Sequence, residues 1–489
     1  MRRLFSSSSS AGSAQKNRAA EKTIMTYPRP DFQRPGLNWT LLDGPWDFVF
    51  DDTDTGLAQG WEYKGIPSSK RQIKVPYAFQ TPASGIGVHE AHEVLWYERT
   101  IADVRTPEER AKGNRLLLRF NAVDYESTVW VDGQFFGGHR GGHVPFEIDV
   151  TDAFRSDPAS KRLTLRVRDS PYDLAQPRGK QYWGPVPESI FYTPTSGIWL
   201  SVWLESVPKT RLGNSSTGTV LRSDDIQNGK LHAQVKVLDR SPGAKYKVAI
   251  EANLSGTSVS RTEPQDLVRE RDTVSFDVDM HVPIPDALKE KAPFNIDGAW
   301  LNGVALWAPE HPILYDLTLR LYDASGKVVD TVETTTGMRE VSWRNGDATF
   351  RLNGRPIFQT LTLDQGYWPE TGLTPPSQEA LKVDIELSLK AGINGCRKHQ
   401  KVEDPAFAYW ADKLGFLVWG EIANAYEFSH DYIDRYNSEW VQAVKRDMNH
   451  PSIIAWTPFN ESWAYPSLKD NIEQRNHIRS VYYLTKYVL

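Results

Sequence analysis

The chain has 489 residues, a formal net charge of −5 and one cysteine, Cys396. This charge balance argues against nucleic acid or an anionic membrane surface as partner, and a lone cysteine excludes an internal disulfide. No apolar run reaches the roughly 18 residues that a membrane-spanning helix needs. The length predicts about two to four domains. Aromatic residues are abundant, with 17 Trp, 20 Tyr and 19 Phe. Such rings stack on pyranose faces and also fill sandwich cores, so their number alone decides nothing.

Residues 1–37 read as a tail. The first 25 are rich in Ser and Arg, hold no acidic residue before Glu21 and lack the apolar core of a secretory signal. That composition fits a disordered segment or an organellar transit peptide, and Met25 offers a second start. The expected compartment is the cytoplasm, with an organelle as the alternative.

From 38 to 208 the pattern is one of short alternating runs, such as WDFVF at 46–50, RLLLRF at 115–120, TVWV at 128–131 and LTLRV at 163–167. Asp132-Gly133 marks a hairpin turn. These features predict an all-β sandwich. His139, Arg140 and His143 lie among glycines 137, 138, 141 and 142 and are read as loop-ordering residues, because such glycines signal tight turns first. From 209 to 340 short strands recur, with LHAQVKV at 231–237, YKVAIE at 246–251, TVSFDV at 273–278 and YDLTLRLY at 315–322. Residues 263–272 and 283–291 are charged and poorly patterned, and long loops or an insertion are expected there.

Beyond 341 the period changes, and strands alternate with helices. The first strand is expected at 357–363. A helix follows, capped by Thr374 with Pro375 at its first position, and Leu381, Ile385 and Leu389 share one face. The second strand carries Cys396 and Arg397. Asp404-Pro405 starts the next helix and Gly415 ends it. The third strand spans 416–419, with Glu421 after it. A third helix places Ile433, Tyr436, Trp440, Val441 and Val444 on one face, and a fourth covers 471–489.

Between the last two helices lies NHPSIIAWTPFNESW, residues 449–463. Pro451 cannot continue a helix. The run 452–456 lacks polar alternation, as in a strand buried on both faces of a parallel sheet. Glu461 then falls just past the C-terminal end of that strand, where α/β enzymes place their chemistry. The competing reading is an ordinary surface glutamate at the start of a loop.

The order N-H-P-S-I-I-A-W-x-x-x-N-E resembles the acid/base signature of glycoside hydrolase family 2, which includes β-galactosidases, β-glucuronidases and β-mannosidases. The resemblance extends to LDGPWDF at 42–48, LWYER at 95–99, NAVDYE at 121–126, GGHRGGHVPF at 137–146, TSGIWLSVWLE at 195–205 and LWAPEHP at 306–312. It implies a multidomain β plus α/β fold. A jelly-roll sugar-binding domain would span 38–208, an immunoglobulin-like β-sandwich 209–340, and the N-terminal half of a (β/α)8 TIM barrel, four βα units, 341–489.

It further implies hydrolysis of β-glycosides with retention, most simply of β-galactosides. Glu461 would be the acid/base, its pKa raised by burial. Asn460 would hold the sugar 2-hydroxyl, and Arg397 would organise the carboxylates. Glu421, Asp364 and His399 are candidate substrate contacts. Trp463 is either an aglycone platform or packing beneath the loop. Retention needs a second carboxyl about 5 Å from the first, and the family's nucleophile has no counterpart here. A non-catalytic carbohydrate-binding or degenerate chain is therefore the alternative.

RKHQ at 397–400 departs from the usual R-x-S-H, and LTLDQG at 361–366 replaces G-V-N-x-H, so the sugar stays open. AYEFSH at 425–430 does not align with the metal ligands of one β-galactosidase branch. No metal and no cofactor is expected. The expected partner is a carbohydrate, with no nucleic acid and no membrane, and the oligomeric state is undetermined.

Overall fold

The structure is a computed structural model that describes residues 27–343 and 346–488. The three readings of residues 1–25 fall outside it. Residues 27–37 correct the expected tail, because they are built into the protein. Tyr27 donates its hydroxyl to Glu205 at 2.6 Å. Gln33 bridges to Glu333, and Arg34 forms an ion pair with Asp330 at 3.2 Å. Phe32 joins the core of the second sandwich. A short segment that finds a buried carboxylate for its arginine and an apolar slot for its ring is held despite its irregular backbone.

The first unit is a sandwich of two antiparallel sheets. One orders Trp39–Leu41, Val202–Val207, Arg115–Phe120 and Phe146–Asp149; the other contains Gly44–Phe50, Val94–Ile101, Lys161–Arg168 and Glu126–Val131 among its six strands. The alternating apolar residues of both sheets meet in one core, including Phe48, Tyr97, Leu116, Leu118, Val129, Leu165 and Leu204. The Asp132-Gly133 turn has φ of 47° and 81°, the left-handed pair that a two-residue hairpin requires.

The second unit places Lys230–Leu238 and Thr273–Asp279 in one sheet and Tyr246–Leu254, Tyr315–Asp323 and Val328–Thr336 in another. The poorly patterned stretches turn out to hold a two-residue strand, Gln265–Asp266, and a single helical turn, Asp286–Lys289.

The third unit alternates strand and helix. Its strands are β1 (Leu361–Asp364), β2 (Gly395–Lys398), β3 (Leu417–Glu421) and β4 (Ile453–Thr457). Its helices are α1 (Gln378–Lys390), α2 (Pro405–Leu414), α3 (His430–Asp447) and α4 (Ile472–Val488). The four strands are parallel and adjacent in chain order.

Three expectations shift. Helix α1 starts at the Ser377 cap instead of Thr374, because Pro376 disfavours the helical conformation at Pro375 and the two successive prolines keep the chain extended. The first strand begins at Leu361, later than 357, since the Asn394 side chain ties down the chain before it at Thr360 and Phe358. In β4 only Ile453 and Ile454 are buried, whereas Ala455 to Thr457 are half-buried, because β4 is an edge of the four-stranded sheet among the described residues. Helix α2 follows expectation, capped by Asp404 and closed by Gly415 at φ 75°.

Candidate active site

Parallel strands present their C-terminal ends on one side of the sheet. Here those ends carry Asp364 (β1), Arg397 (β2), Glu421 (β3) and the turn after β4 with Asn460 and Glu461. Arg397 connects three of these elements. Its Nε donates to Glu421 Oε2 at 2.6 Å and its Nη2 to Asn460 Oδ1 at 2.6 Å. Only a planar guanidinium reaches two acceptors on different strands with fixed geometry. Glu421 is buried and also accepts the Gln400 backbone N–H at 3.2 Å. Burial pushes its carboxyl up to about 7 against the pull of Arg397.

Glu461 differs from expectation. It is exposed, so the burial invoked to raise its pKa is absent. Its backbone sits at φ 53°, a conformation unusual for a residue with a Cβ. Its carboxylate accepts the Trp463 indole N–H at 2.8 Å. The edge position of β4 and the reversal at residue 461 together project the side chain outward.

Asp364 lies slightly apart from the Arg397 clamp. It forms an ion pair with Lys398, whose ammonium also reaches Glu403 at 3.0 Å. Lys401 meets the other oxygen of Glu403 at 3.0 Å. Although burial opposes ionisation, the two lysines pull the Glu403 carboxyl down to about 2. Such a network costs desolvation and returns it only because every member is paired. His399 is buried next to Arg397 and Lys180, and burial followed by these two charges lowers its pKa.

Two histidines of the first unit pack against aromatic rings. His139 stacks on Phe146 at 4.4 Å, and His143 is buried against Trp199. Arg140 bridges Glu126 at 2.8 Å and Asp431 on α3 at 3.1 Å.

One part of the site was not read from the sequence. Residues 169–196, between two strands of the first sandwich, form a strap over the third unit. The Leu174 carbonyl accepts the N–H groups of Tyr426 and Glu427 at 2.8 and 2.9 Å. Arg178 and Gly179 donate backbone N–H groups to Asn424 at 3.1 and 2.9 Å. Trp183 and Phe191 close on Tyr426 and Trp463, with ring centroids 4.8 Å apart for Trp183–Tyr426, 5.5 Å for Phe191–Trp463 and 4.7 Å for Tyr426–Trp463. The available signal was length, since a structureless connection of this size in a compact domain is usually functional.

Among the described residues no group of three or more His, Cys, Asp or Glu could hold a metal ion, and no helix is long and apolar enough to cross a membrane.

The family model for glycosyl hydrolases family 2 matches residues 217–339, and that for the family's sugar-binding domain matches 39–172. A β-galactosidase of Thermoanaerobacter pseudethanolicus is 23% identical over 422 residues, covering 85% of this chain and 51% of its own. The β-glucuronidase of Canis lupus familiaris is 24% identical, covering 90% of this chain and 66% of its own. The chain thus spans about half to two thirds of the length of these curated relatives. A solved β-glucuronidase from Ruminococcus gnavus superposes with a TM-score of 0.72 at 19% identity, over 93% of this chain and 72% of that one, a likeness of fold. Taken with the residue pattern at 449–463, these matches show that the chain belongs to glycosyl hydrolase family 2.

Proposed function

We propose that the chain carries the acid/base side of a retaining β-glycosidase site on the first half of a (β/α)8 barrel, acting on β-galactosides or β-glucuronides. The observation that carries this reading is the Arg397 clamp, which fixes Glu421 and Asn460 at the same strand ends as Glu461. In this scheme Glu461 gives its proton to the glycosidic oxygen as the C1–O bond breaks, and a second carboxylate takes C1. Water then releases the sugar, its proton passing back to Glu461. Asn460 supports the 2-hydroxyl.

Glu421 and Asp364 are each paired with a buried or half-buried cation. Such pairing suits them to holding substrate hydroxyls, and the nucleophile is assigned to neither. The exposed Glu461 needs water excluded around it for the proton transfer to be directed to the glycosidic oxygen. A substrate ring seated against Trp463 supplies that cover.

The test is incubation with 2-deoxy-2-fluoro β-galactosyl and β-glucuronosyl fluorides, read by intact mass. A stable mass increase of one glycosyl unit, traced by peptide mass to the carboxylate that takes C1, with turnover of aryl glycosides lost in Glu461→Gln, supports the reading. Glycoside binding without label or turnover, unchanged in Glu461→Gln, replaces it with a carbohydrate-binding role.

A further inference from the structure

Lys180 has no part in the reaction described above, yet its setting is unusual. The residue is 5% exposed. Two other buried lysines of the site are fully engaged: Lys398 with Glu403 and Asp364, Lys401 with Glu403 and the carbonyls of Gly366 and Leu373. The Lys180 ammonium makes no hydrogen bond and no ion pair among the described residues. It rests instead over two aromatic faces, 5.3 Å from the Phe191 centroid and 5.8 Å from that of Trp463. Trp463 is the ring whose N–H holds Glu461, so one indole touches both the ammonium and the proposed acid.

Cation–π contact and the field of the nearby Glu461 carboxylate offset only part of the cost of holding this charge with no directly bonded partner. The backbone nevertheless holds Lys180 in place from both sides. Gly179 sits at φ +59°, where a Cβ would collide with the Gln400 carbonyl. The Lys180 carbonyl accepts from Tyr192 at 2.9 Å. Gln181 donates to the fully buried Asp124 at 2.9 Å and accepts the Thr195 N–H at 2.7 Å. A charge displayed on a backbone this constrained is preorganised for a ligand. The other cation at the mouth, Arg397, is committed to Glu421 and Asn460.

We propose that Lys180 selects for a carboxylate on the substrate: the site takes a β-glycoside carrying an anionic group near the scissile bond, and the first sandwich supplies the residue that reads it. The inference rests on the reading of Glu461 and its surroundings as a glycoside site. The carboxylate belongs either to the sugar, as in a uronide, or to the leaving group.

Calorimetric titration of the full chain with four ligands tests this. Methyl β-D-glucuronide places the carboxylate on the sugar and 4-carboxyphenyl β-D-glucoside places it on the aglycone. Methyl β-D-glucoside is neutral, and 4-hydroxybenzoate is an anion without a sugar. One of the two anionic glycosides should bind about tenfold or more tightly than the neutral one. Lys180→Met should erase that advantage while leaving the neutral glycoside within about twofold, and Lys180→Arg should restore most of it. Unchanged melting of both variants verifies the fold.

Equal binding of charged and neutral glycosides, or an equal loss for both in Lys180→Met, overturns the proposal while the sugar-site reading stands. Lys180-dependent binding of 4-hydroxybenzoate with no glycoside bound has the converse meaning, keeping the anion site and removing the sugar reading. Binding of none of the four overturns the proposal, and the fluoride labelling described above then decides the sugar reading separately.

Discussion

The ion pair between His450 and Asp412 should be the pH-dependent anchor of the strand that delivers Glu461. His450 Nδ1 lies 2.6 Å from Asp412 Oδ2, and the other Asp412 oxygen accepts the Ser452 N–H at 3.0 Å. Both side chains are almost wholly buried. Burial works against protonation, but Asp412, with Asp31 and Asp447 behind it, pushes the imidazole up to about 9 from the ordinary 6.5. The folded state therefore binds this proton more tightly than the unfolded chain does. The resulting stabilisation is complete below pH 6.5 and is lost as pH rises through 9. At ~1.4 kcal/mol per pKa unit the shift corresponds to about 3 kcal/mol.

In His450→Gln, which keeps a hydrogen-bond donor but no charge, β4 should be about 3 kcal/mol less protected than in the wild type at pH 6. The difference should shrink to the residual packing cost by about pH 10. Hydrogen exchange of the peptide 449–457, corrected for intrinsic rates, reports this locally without assuming that three units unfold as one. A wild-type advantage that is the same at pH 6 and pH 10 would refute the reasoning, since a purely steric role for the imidazole has no pH dependence.

Further expectations concern the clamp, the strap and a buried carboxyl. Arg397→Lys leaves either Glu421 or Asn460 without its donor and should cost about 1–3 kcal/mol of stability; equal thermal denaturation of the two proteins would remove the clamp from the argument. Gly179→Ala forces a Cβ into a left-handed position against the Gln400 carbonyl, and a strain of more than about 1 kcal/mol should unseat the strap, visible as faster limited proteolysis within 171–192. Burial pushes the Glu439 carboxyl up to about 7, so its ionisation destabilises the fold increasingly between pH 4.5 and 7. Glu439→Gln should accordingly gain on the wild type across that interval, by up to about 3 kcal/mol, in urea unfolding at a series of pH values.

The parts of the fold legible in the sequence are those set by neighbours in the chain. The Asp404-Pro405 start and Gly415 stop of α2 and the Asp132-Gly133 hairpin are local chemistry and appear where the pattern put them; on the α3 face Tyr436, Trp440 and Val444 are buried, while Ile433 and Val441 stay half-buried. Errors arose where a distant partner decided. Residues 27–37 would have stayed loose without Glu205, Asp330 and Glu333; the start of α1 at Ser377 is by contrast set locally, by Pro376 after Pro375. The exposure of Glu461 could not be read from a strand pattern at all, because it depends on what lies beside the edge of the sheet.

The same contrast separates the residues of the 449–463 stretch by role. Asn449 bonds the backbone of the second sandwich at both its oxygen and its nitrogen, through Leu221 at 2.9 Å and Thr219 at 3.0 Å. His450 meets α2, as described. These two residues fix the entry of β4 against two other elements, while Asn460 and Glu461 mark its exit. The motif therefore joins an anchor at one end of a five-residue strand to the proposed acid/base at the other. On the facing side the strap is held by Gln181 on Asp124 and by Arg178 and Gly179 on Asn424. Lys180 and Glu461 thus approach one indole from separately anchored elements. The sandwich is in this respect part of the site, and any change that loosens either anchor should alter how the two charges share Trp463.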